Sequence, residues 1–256
     1  MSFSLIPDIP YTSARDTRCR YDLYLPDGTD TYPLIIYFYG GSLKKGAKEG
    51  NRLARAAVEA GYAVAGPDYR LIPEVSYPAF IDDAADAVCA VMRDMEQYTD
   101  RVSRIFVGGH SAGAYLSMML AFDRHYLDVR GVDRSKIAGW LFISGQPTTH
   151  FSVLESRGMD KRAVIIDDTA ALWYVRSNVG EPALIVTCDA DLACRREQNY
   201  LLLATLKRFG YTSLLRFADI QNCSHGGLVK PDENGNVPVM PHMIDFISEV
   251  CSGENT

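Results

Sequence analysis

The sequence predicts an α/β fold, with a mostly parallel central sheet covered by helices on both faces, in a single domain over residues 1–256. Short apolar runs that suit buried parallel strands alternate along the chain with segments of helical periodicity. A chain of 256 residues is long enough to bury one large core. Its composition, 47% hydrophobic and 23% charged, is that of a globular protein.

Five segments stand out in the first half of the chain. Residues 20–25 alternate polar and apolar side chains, which predicts an early edge strand. Residues 34–39 form a continuous apolar run, which predicts a central parallel strand. The spacing of leucine and alanine predicts a helix over 46–60, followed by a short strand over 62–65. A proline opens a long amphipathic helix predicted over 78–98.

The second half repeats the strand-then-helix unit, as expected for a parallel sheet with crossover helices. The predicted strands are 104–108, 137–143, 183–187 and 213–217, and the predicted helices are 114–122, 196–209 and 241–251.

Residues 146–180 interrupt this alternation. The segment is too long for a plain connection and carries Phe151, Leu154, Trp173 and Tyr174. We expect a small cap over the carboxyl edge of the sheet, in which the three aromatic residues are candidates to line a pocket. A surface excursion that packs on a side helix is the alternative, and ordinary packing would explain the aromatic residues equally well.

A G-x-S-x-G motif at residues 109–113 lies between a predicted strand and a predicted helix. On such a sharp turn the hydroxyl of Ser111 points out of the sheet, and the glycines let neighbouring backbone pass close by. The helix that follows directs its first N–H groups to the same place, where they can stabilise negative charge. A solvated serine in a glycine-rich turn is the alternative, but the context favours a nucleophile.

A serine nucleophile needs a base, and five histidines are available. His225 follows the last predicted strand, so its loop opens at the same carboxyl edge as Ser111. A lone loop histidine is usually an ordinary solvated residue, but this position favours a base. His110 lies inside the motif, where its side chain is expected to point away from that of Ser111. The other three histidines are His125, His150 and His242.

The acid that orients the base is expected after a strand that lies between Ser111 and His225 in the chain. Asp189 and Asp191 both follow the strand predicted over 183–187. We favour Asp191 as the acid. An N-cap or Asx-turn is the alternative role for either carboxylate.

Acyl transfer also needs backbone N–H groups that stabilise the oxyanion. One is expected from Ala112, directly after the nucleophile. Others are expected from the loop after strand 34–39, where adjacent Gly40 and Gly41 allow the N–H groups to turn inward. An ordinary glycine turn is the alternative.

These segments together resemble the α/β-hydrolase superfamily, and within it the hormone-sensitive-lipase-like carboxylesterases and acetyl esterases. Residues 37–42 resemble the family's H-G-G-G oxyanion loop, and residues 68–74 resemble its D-Y-R-L-A-P-E stretch. Residues 109–113 resemble its G-x-S-A-G turn. Residues 191–192 and 225–226 resemble its D-x-L acid turn and its H-G base loop.

The resemblance implies an α/β-hydrolase fold and a serine esterase of the EC 3.1.1 type that acts on short, acetyl-like acyl esters without a cofactor or metal. Tyr39 stands where the family has histidine, and Ser42 replaces the last glycine, so the shape of the loop and the width of the acyl pocket are in question. By position, the catalytic residues are Ser111, Asp191 and His225, and the oxyanion donors are the N–H groups of Gly41, Ser42 and Ala112, with Gly40 shaping the loop.

Other functions remain open on the same motifs. An arylformamidase, a thioesterase or a small peptidase would use the same three residues. A ligand-binding homologue without activity is disfavoured, because all three candidates are present. The expected substrate is a small ester, with acetylated carbohydrates among the candidates. The sequence leaves a homodimer open.

Charge, apolar runs and cysteine spacing argue against nucleic-acid-binding, membrane-spanning and metal-binding proteins. The net charge is −6, and no block of basic residues suggests nucleic-acid binding. The longest apolar run, residues 34–39, is far too short to span a membrane. The N-terminus does not resemble a secretory signal, so we expect a cytoplasmic protein. Six cysteines show no metal-binding spacing, which favours free thiols over a disulfide.

Overall fold

A computed structural model describes residues 2–13, 17–28, 30–50, 52–176, 180–211 and 213–253. These residues form one eight-stranded sheet with helices packed against it. The strands are β1 (Phe3–Pro10), β2 (Arg20–Pro26), β3 (Tyr32–Phe38), β4 (Ala63–Pro67), β5 (Val102–His110), β6 (Ile137–Ile143), β7 (Ala183–Ala190) and β8 (Leu215–Ser224).

Eight α-helices, several of them a single turn, are described between and after these strands. They are α1 (Arg52–Glu59), α2 (Ala79–Asp94), α3 (Ala112–Phe122), α4 (His125–Asp128), α5 (Phe151–Ser156), α6 (Ala171–Tyr174), α7 (Arg195–Arg208) and α8 (Met240–Ser252). Short 3-10 turns cover Lys48–Gly50, Met95–Gln97, Arg134–Lys136 and Gly227–Val229.

The strand order is β1-β2-β4-β3-β5-β6-β7-β8. β1 and β2 pair antiparallel, as do β2 and β4, and every other neighbouring pair is parallel. The predicted α/β class with a mostly parallel sheet is confirmed. All the parallel strands end at one edge, so the loops after β3, β5, β6, β7 and β8 meet there.

The two faces of the sheet bury two apolar clusters. Along β3, Leu34, Ile36 and Phe38 pack with α2 and α3 on one face. Ile35 and Tyr37 point to the other face and pack with α1 and α8. This alternation follows from the two-residue period of a strand. Because both faces are covered, β3 is buried along nearly its whole length, as its continuous apolar run predicts.

The prediction that residues 20–25 form the edge of the sheet is wrong. β1 pairs outside β2 and forms the edge. β1 contains Pro7 and Pro10, has exposed polar side chains and bends at Asp8, where φ is +58°. Proline is tolerated on an edge strand, because its missing N–H is not needed for pairing there. The pattern of β1 therefore gave no strand signal, although the strand forms.

The helix predicted over 46–60 is shorter in the structure. Gly46 has a φ of +115°, which no α-helix adopts, and α1 begins only at Arg52. Before α1, the side chain of Lys48 is 3% exposed and its Nζ lies 2.8 Å from a carboxylate oxygen of Asp22 on β2. This buried ion pair fixes the loop to the sheet in place of a first helical turn.

The last strand, β8, is longer than the predicted 213–217 and runs to Ser224. The strand continues beyond its apolar residues because its pairing with β7 resumes after a bulge. Asn222, near this bulge, has a left-handed backbone with a φ of +56°. His225 therefore follows the strand directly, without a loop of several residues before it.

The described residues of the 146–180 segment, which are 146–176 and 180, pack closely against the rest of the fold. Thr149, His150 and Thr169 are fully buried. The hydroxyl of Tyr115 on α3 donates a hydrogen bond to the Thr169 carbonyl at 2.7 Å. The Ser152 hydroxyl donates to the Ser42 carbonyl at 2.6 Å, which ties the segment to the loop after β3. That the segment acts as a cap stays a prediction.

Candidate active site

Ser111 occupies the turn between β5 and α3. Its backbone has φ +57° and ψ −114°, a conformation that non-glycine residues rarely adopt. The Ser111 N–H donates to the Ile143 carbonyl of β6 at 2.9 Å, which holds the turn to the neighbouring strand. Such backbone strain costs on the order of 1–3 kcal/mol and is characteristic of functional sites.

Two glycines of the motif are required by close backbone contacts. A Cβ on Gly113 would lie 2.0 Å from the Phe38 carbonyl oxygen, and one on Gly109 would lie 2.5 Å from the same atom. Real Cβ atoms do not approach backbone so closely. The glycines therefore let the serine turn pack against the end of β3, as the sequence predicts.

The structure brings the three predicted catalytic side chains together. His225 Nε2 lies 2.9 Å from Ser111 Oγ, and His225 Nδ1 lies 2.6 Å from Asp191 Oδ1. With the Asp191 carboxylate as acceptor, Nδ1 carries the proton and Nε2 is left to accept the serine hydroxyl proton. This is the arrangement that general-base activation of a serine requires.

The Asp191 carboxylate is almost fully buried, its side chain being 1% exposed. Burial by itself raises its pKa, but hydrogen bonds from His225 and Ser144 outweigh that effect, and the pKa falls to about 2. The Thr187 hydroxyl at 3.1 Å and the Leu192 N–H at 2.7 Å also donate to it. Asp191 is therefore ionised at neutral pH and can stabilise a positive charge on His225.

Asp189, the competing carboxylate, has a different environment. Its oxygens accept the backbone N–H groups of Asn222 at 2.9 Å and of Cys223 at 3.0 Å. These hydrogen bonds, the one from Cys223 above all, lower its pKa. Asp189 thus joins the end of β7 to the backbone that leads to His225. Asp191, not Asp189, makes the contact with the His225 ring.

Ser144 contributes to the site, although its sequence context did not single it out. Its hydroxyl donates to Asp191 Oδ2 at 2.7 Å, and its oxygen lies 2.8 Å from His225 Nδ1. Arg195 fixes it further by donating to the Ser144 carbonyl at 2.8 Å. The available signal was position, since Ser144 directly follows the strand predicted over 137–143 and so lies at the carboxyl edge.

His110 also supports the site. Its ring lies beside that of His225, with the centroids 4.7 Å apart, and its Nε2–H donates to the His225 carbonyl at 3.0 Å. That its side chain points away from that of Ser111 stays a prediction. Burial, followed by the nearby His225, lowers the pKa of His110 to about 3, so the ring is neutral. His110 therefore holds the backbone of the predicted base.

The other three histidines lie elsewhere. His125 is exposed and pairs with Asp123 at 2.6 Å. His150 is buried and accepts the Ser152 N–H at the start of α5. His242 is exposed at the start of α8.

The loop after β3 passes directly beside Ser111. A Cβ on Gly40 would lie 3.0 Å from the Ser111 Cβ. The next residues turn through left-handed conformations, with φ of +138° at Gly41 and +61° at Ser42. In the described part of the chain, the N–H groups of these two residues donate to no protein atom. Ala112 opens α3, where backbone N–H groups have no partner within the helix. Their role as oxyanion donors stays a prediction.

Tyr39, which stands where the resembled family has histidine, braces this loop. Its ring stacks on that of Tyr69 with the centroids 4.8 Å apart. Its carbonyl accepts the Tyr69 hydroxyl at 2.9 Å. The aromatic pair holds the start of the loop without a histidine.

A cavity of about 520 Å³ opens beside the serine. Phe151, Trp173 and Tyr174, the aromatic pocket candidates, are not among its lining residues, and Trp173 is 45% exposed. A larger cleft of about 860 Å³ lies at the amino ends of β5 and β6, away from the serine. The lining of the 520 Å³ cavity is Tyr37, Tyr39, Gly40, Gly41, Ser42, Lys45, Gly46, Ala47, Leu53, His110, Ser111, Leu192, His225, Gly226, Val229 and Lys230.

Three further observations concern the described residues as a whole. No group of three or more His, Cys, Asp or Glu side chains among them could hold a metal ion. None of their helices has the length and apolar character needed to cross a bilayer. All six cysteines are free thiols, three of them buried.

Comparison with known proteins identifies the family. A family model described as BD-FAE matches residues 21–138. Kynurenine formamidase from Danio rerio is 33% identical over an alignment of 243 residues, which covers 89% of this chain and 77% of that protein. The chain belongs to the hormone-sensitive-lipase-like α/β-hydrolase family. The family predicted from the motifs is thereby confirmed.

Other matches agree with this assignment. Carboxylesterase NlhH from Mycobacterium tuberculosis is 39% identical over 94 residues, which are 36% of this chain and only 30% of that protein. A truncated carbohydrate esterase from gut microbiota superposes with a TM-score of 0.79 at 20% identity, covering 97% of this chain and 96% of the other. That structure shows a shared fold. The protein is thus a member of a family of hydrolases that includes carboxylesterases.

Proposed function

We propose that this protein is a serine esterase that cleaves esters of short, acetyl-like acyl groups through an acyl-enzyme on Ser111. The observation that carries the proposal is the continuous hydrogen-bonded path from Ser111 Oγ through His225 to Asp191, with contacts of 2.9 and 2.6 Å. It accounts for the strained serine turn and for the burial of the Asp191 carboxylate.

In the first half-reaction His225 Nε2 takes the Ser111 proton as the hydroxyl oxygen attacks the ester carbonyl carbon. The N–H groups of Gly41, Ser42 and Ala112 stabilise the tetrahedral oxyanion. One such donor is worth about 10²–10³ in kcat. His225 then gives its proton to the departing alkoxide, and the acyl-enzyme remains.

In the second half-reaction water takes the place of the serine hydroxyl. His225 accepts a proton from water as the water oxygen attacks the acyl carbon. The bond between the acyl carbon and Ser111 Oγ then breaks, and the His225 ring returns the proton to Ser111 Oγ. Asp191 stays ionised throughout, because its pKa of about 2 lies far below neutral pH. It holds the ring in one tautomer and stabilises the imidazolium.

The size of the site suits a small-molecule substrate. The cavity of about 520 Å³ is within the range of sites for small molecules, roughly 300–1,000 Å³. Tyr37 and Tyr39 lie on its wall together with the tightly turned glycine loop. We include acetylated carbohydrates among the proposed substrates, as small acetyl esters that such a site accommodates.

The test is a panel of 4-nitrophenyl esters from acetyl to decanoyl, with acetylated xylan as a polymeric substrate. We expect kcat/KM to be highest for the shortest acyl groups and to vanish in Ser111→Ala. A fluorophosphonate probe should label the parent protein but not this variant. Ser135→Ala, which removes an exposed hydroxyl far from the site, is the matched control. Turnover by Ser111→Ala at the parental rate would refute the mechanism.

Hydrolysis of an aryl formamide is the second candidate. It is favoured by the match to kynurenine formamidase, which extends over 89% of this chain, whereas the match to carboxylesterase NlhH covers 36%. The same serine, base and acid would act on the formamide carbonyl, with His225 protonating the aniline nitrogen. Comparing kcat/KM for N-formylkynurenine and for phenyl acetate separates the two candidates.

A further inference from the structure

The two lysines that line the cavity beside the proposed catalytic serine face no described acidic lining residue. Lys45 and Lys230 line the cavity, and no aspartate or glutamate is among its described lining residues. The protein as a whole has a net charge of −6. An average surface of this chain would therefore repel an anion, whereas the mouth of this cavity attracts one.

Three lysines, Lys44, Lys45 and Lys48, follow Gly40 and Gly41 in the loop after β3, and they differ in what they contact. Lys44 pairs with Glu155 of the 146–180 segment, and Lys48 is buried against Asp22. Both therefore have structural partners. Lys45, between them in sequence, forms no ion pair with any residue that the structure describes, and its exposed side chain borders the cavity. Its charge is available to a ligand.

Lys230 lies next to the predicted base. Its Nζ is 3.7 Å from the position that a Cβ on Gly226 would occupy, so the ammonium sits beside the backbone adjoining His225. The nearby Asp232 carboxylate accepts the N–H groups of Asn234 and Asn236, each at 2.8 Å. In the described part of the chain Lys230 forms no ion pair, with Asp232 or any other acid.

We propose that the site takes esters whose leaving group carries a carboxylate, bound by Lys45 and Lys230; this rests on the proposed esterase function. The leaving oxygen must lie near His225 Nε2 to receive its proton, which places the leaving group on the Lys230 side. Lys45, which follows Gly40 and Gly41 in the loop after β3, lines the same cavity. Two ammonium groups without a competing carboxylate form a site for one anionic group.

The test compares two esters that share an acyl group and a phenolic leaving oxygen, (4-acetoxyphenyl)acetate and its methyl ester. The measured quantity is the ratio of kcat/KM for the anionic ester to that for the neutral one. We expect a ratio above one in the parent and a fall of about three- to fivefold in each of Lys45→Gln and Lys230→Gln. The preference should also weaken as salt is added, because exposed charges are screened.

Lys207→Gln is the matched control. This exposed lysine of α7 carries the same charge and is not among the residues lining the cavity, so its removal should leave the ratio unchanged. Competitive inhibition by 4-hydroxyphenylacetate, compared with its methyl ester, gives a second readout that does not depend on turnover. We expect the anion to bind more tightly, and to lose that advantage in the lysine variants.

The outcomes separate the two proposals. A neutral ester cleaved as well as the anionic one, with the same ratio in all variants, overturns the carboxylate preference and leaves the esterase function standing. Cleavage of neither ester, together with failure of the fluorophosphonate to label Ser111, overturns the esterase function itself.

Discussion

Removing the Ser144 hydroxyl should slow the reaction without weakening substrate binding. Ser144 is fully buried and donates to Asp191 Oδ2 at 2.7 Å, while its oxygen lies 2.8 Å from His225 Nδ1. A hydrogen bond to a charged group contributes about 1.5–3 kcal/mol. If half of this is expressed in the transition state, kcat of Ser144→Ala falls about three- to twelvefold, since about 1.4 kcal/mol corresponds to a factor of ten.

The split between kcat and KM identifies the cause. Ser144 is not among the residues lining the cavity, so KM for a short ester should stay within about twofold. The rate of fluorophosphonate labelling should fall in parallel with kcat, because both depend on the same serine and base. Circular dichroism and thermal unfolding establish that the variant is folded. A folded Ser144→Ala with parental kcat, or with a change confined to KM, would refute the positioning role.

The remaining predictions concern the acid, the serine turn and pH. Asp191→Asn should lower kcat by about 10⁴-fold. Asp189 accepts backbone N–H groups, so Asp189→Asn should lower kcat less than about tenfold. Steady-state kinetics of the two variants show which carboxylate is the acid. Gly113→Ala places a Cβ 2.0 Å from a backbone oxygen and should cost more than about 4 kcal/mol in urea unfolding, against about 1 kcal/mol for Gly235→Ala, whose Cβ meets nothing. The folded pKa of Asp191, about 2, lies below its unfolded value. The ionised Asp191 carboxylate therefore stabilises the folded state fully above its unfolded pKa, and this stabilisation is lost as pH falls through about 2. In Asp191→Asn, the free energy of unfolding measured against pH should lack this contribution.

Much of the fold was predictable because its parallel strands are buried on both faces. β3 and β6 consist almost wholly of large apolar residues, and β6 has the predicted bounds, 137–143. The edge strands are different, since they need few apolar residues. β1 contains two prolines and is mostly exposed, and β8 ends in polar residues. Their existence depends on pairing with β2 and β7, which a local pattern does not show.

In the candidate site too, some residues are indicated by local sequence and others only by contacts with distant residues. Ser111 and His225 are predictable as site candidates because a motif or a strand end places them at the carboxyl edge. Asp189 and Asp191 both follow the same predicted strand, and the sequence favours Asp191 without showing the contacts of either. In the structure Asp191 contacts the His225 ring, whereas Asp189 accepts backbone N–H groups. Ser144 makes contacts that depend on residues 47 and 81 positions away. Likewise, the adjacent Lys44 and Lys45 look the same in the sequence, although Lys44 pairs with Glu155 and Lys45 lines the cavity.

The bond from Ser152 to the Ser42 carbonyl links the 146–180 segment to the loop that is proposed to stabilise the oxyanion. Exchanging this segment for that of a relative would therefore alter the support of that loop. Chimeric proteins made at this position should therefore lose turnover unless the hydroxyl at 152 is retained. The segment is not an interchangeable module, and libraries aimed at selectivity are better directed at positions 45 and 230.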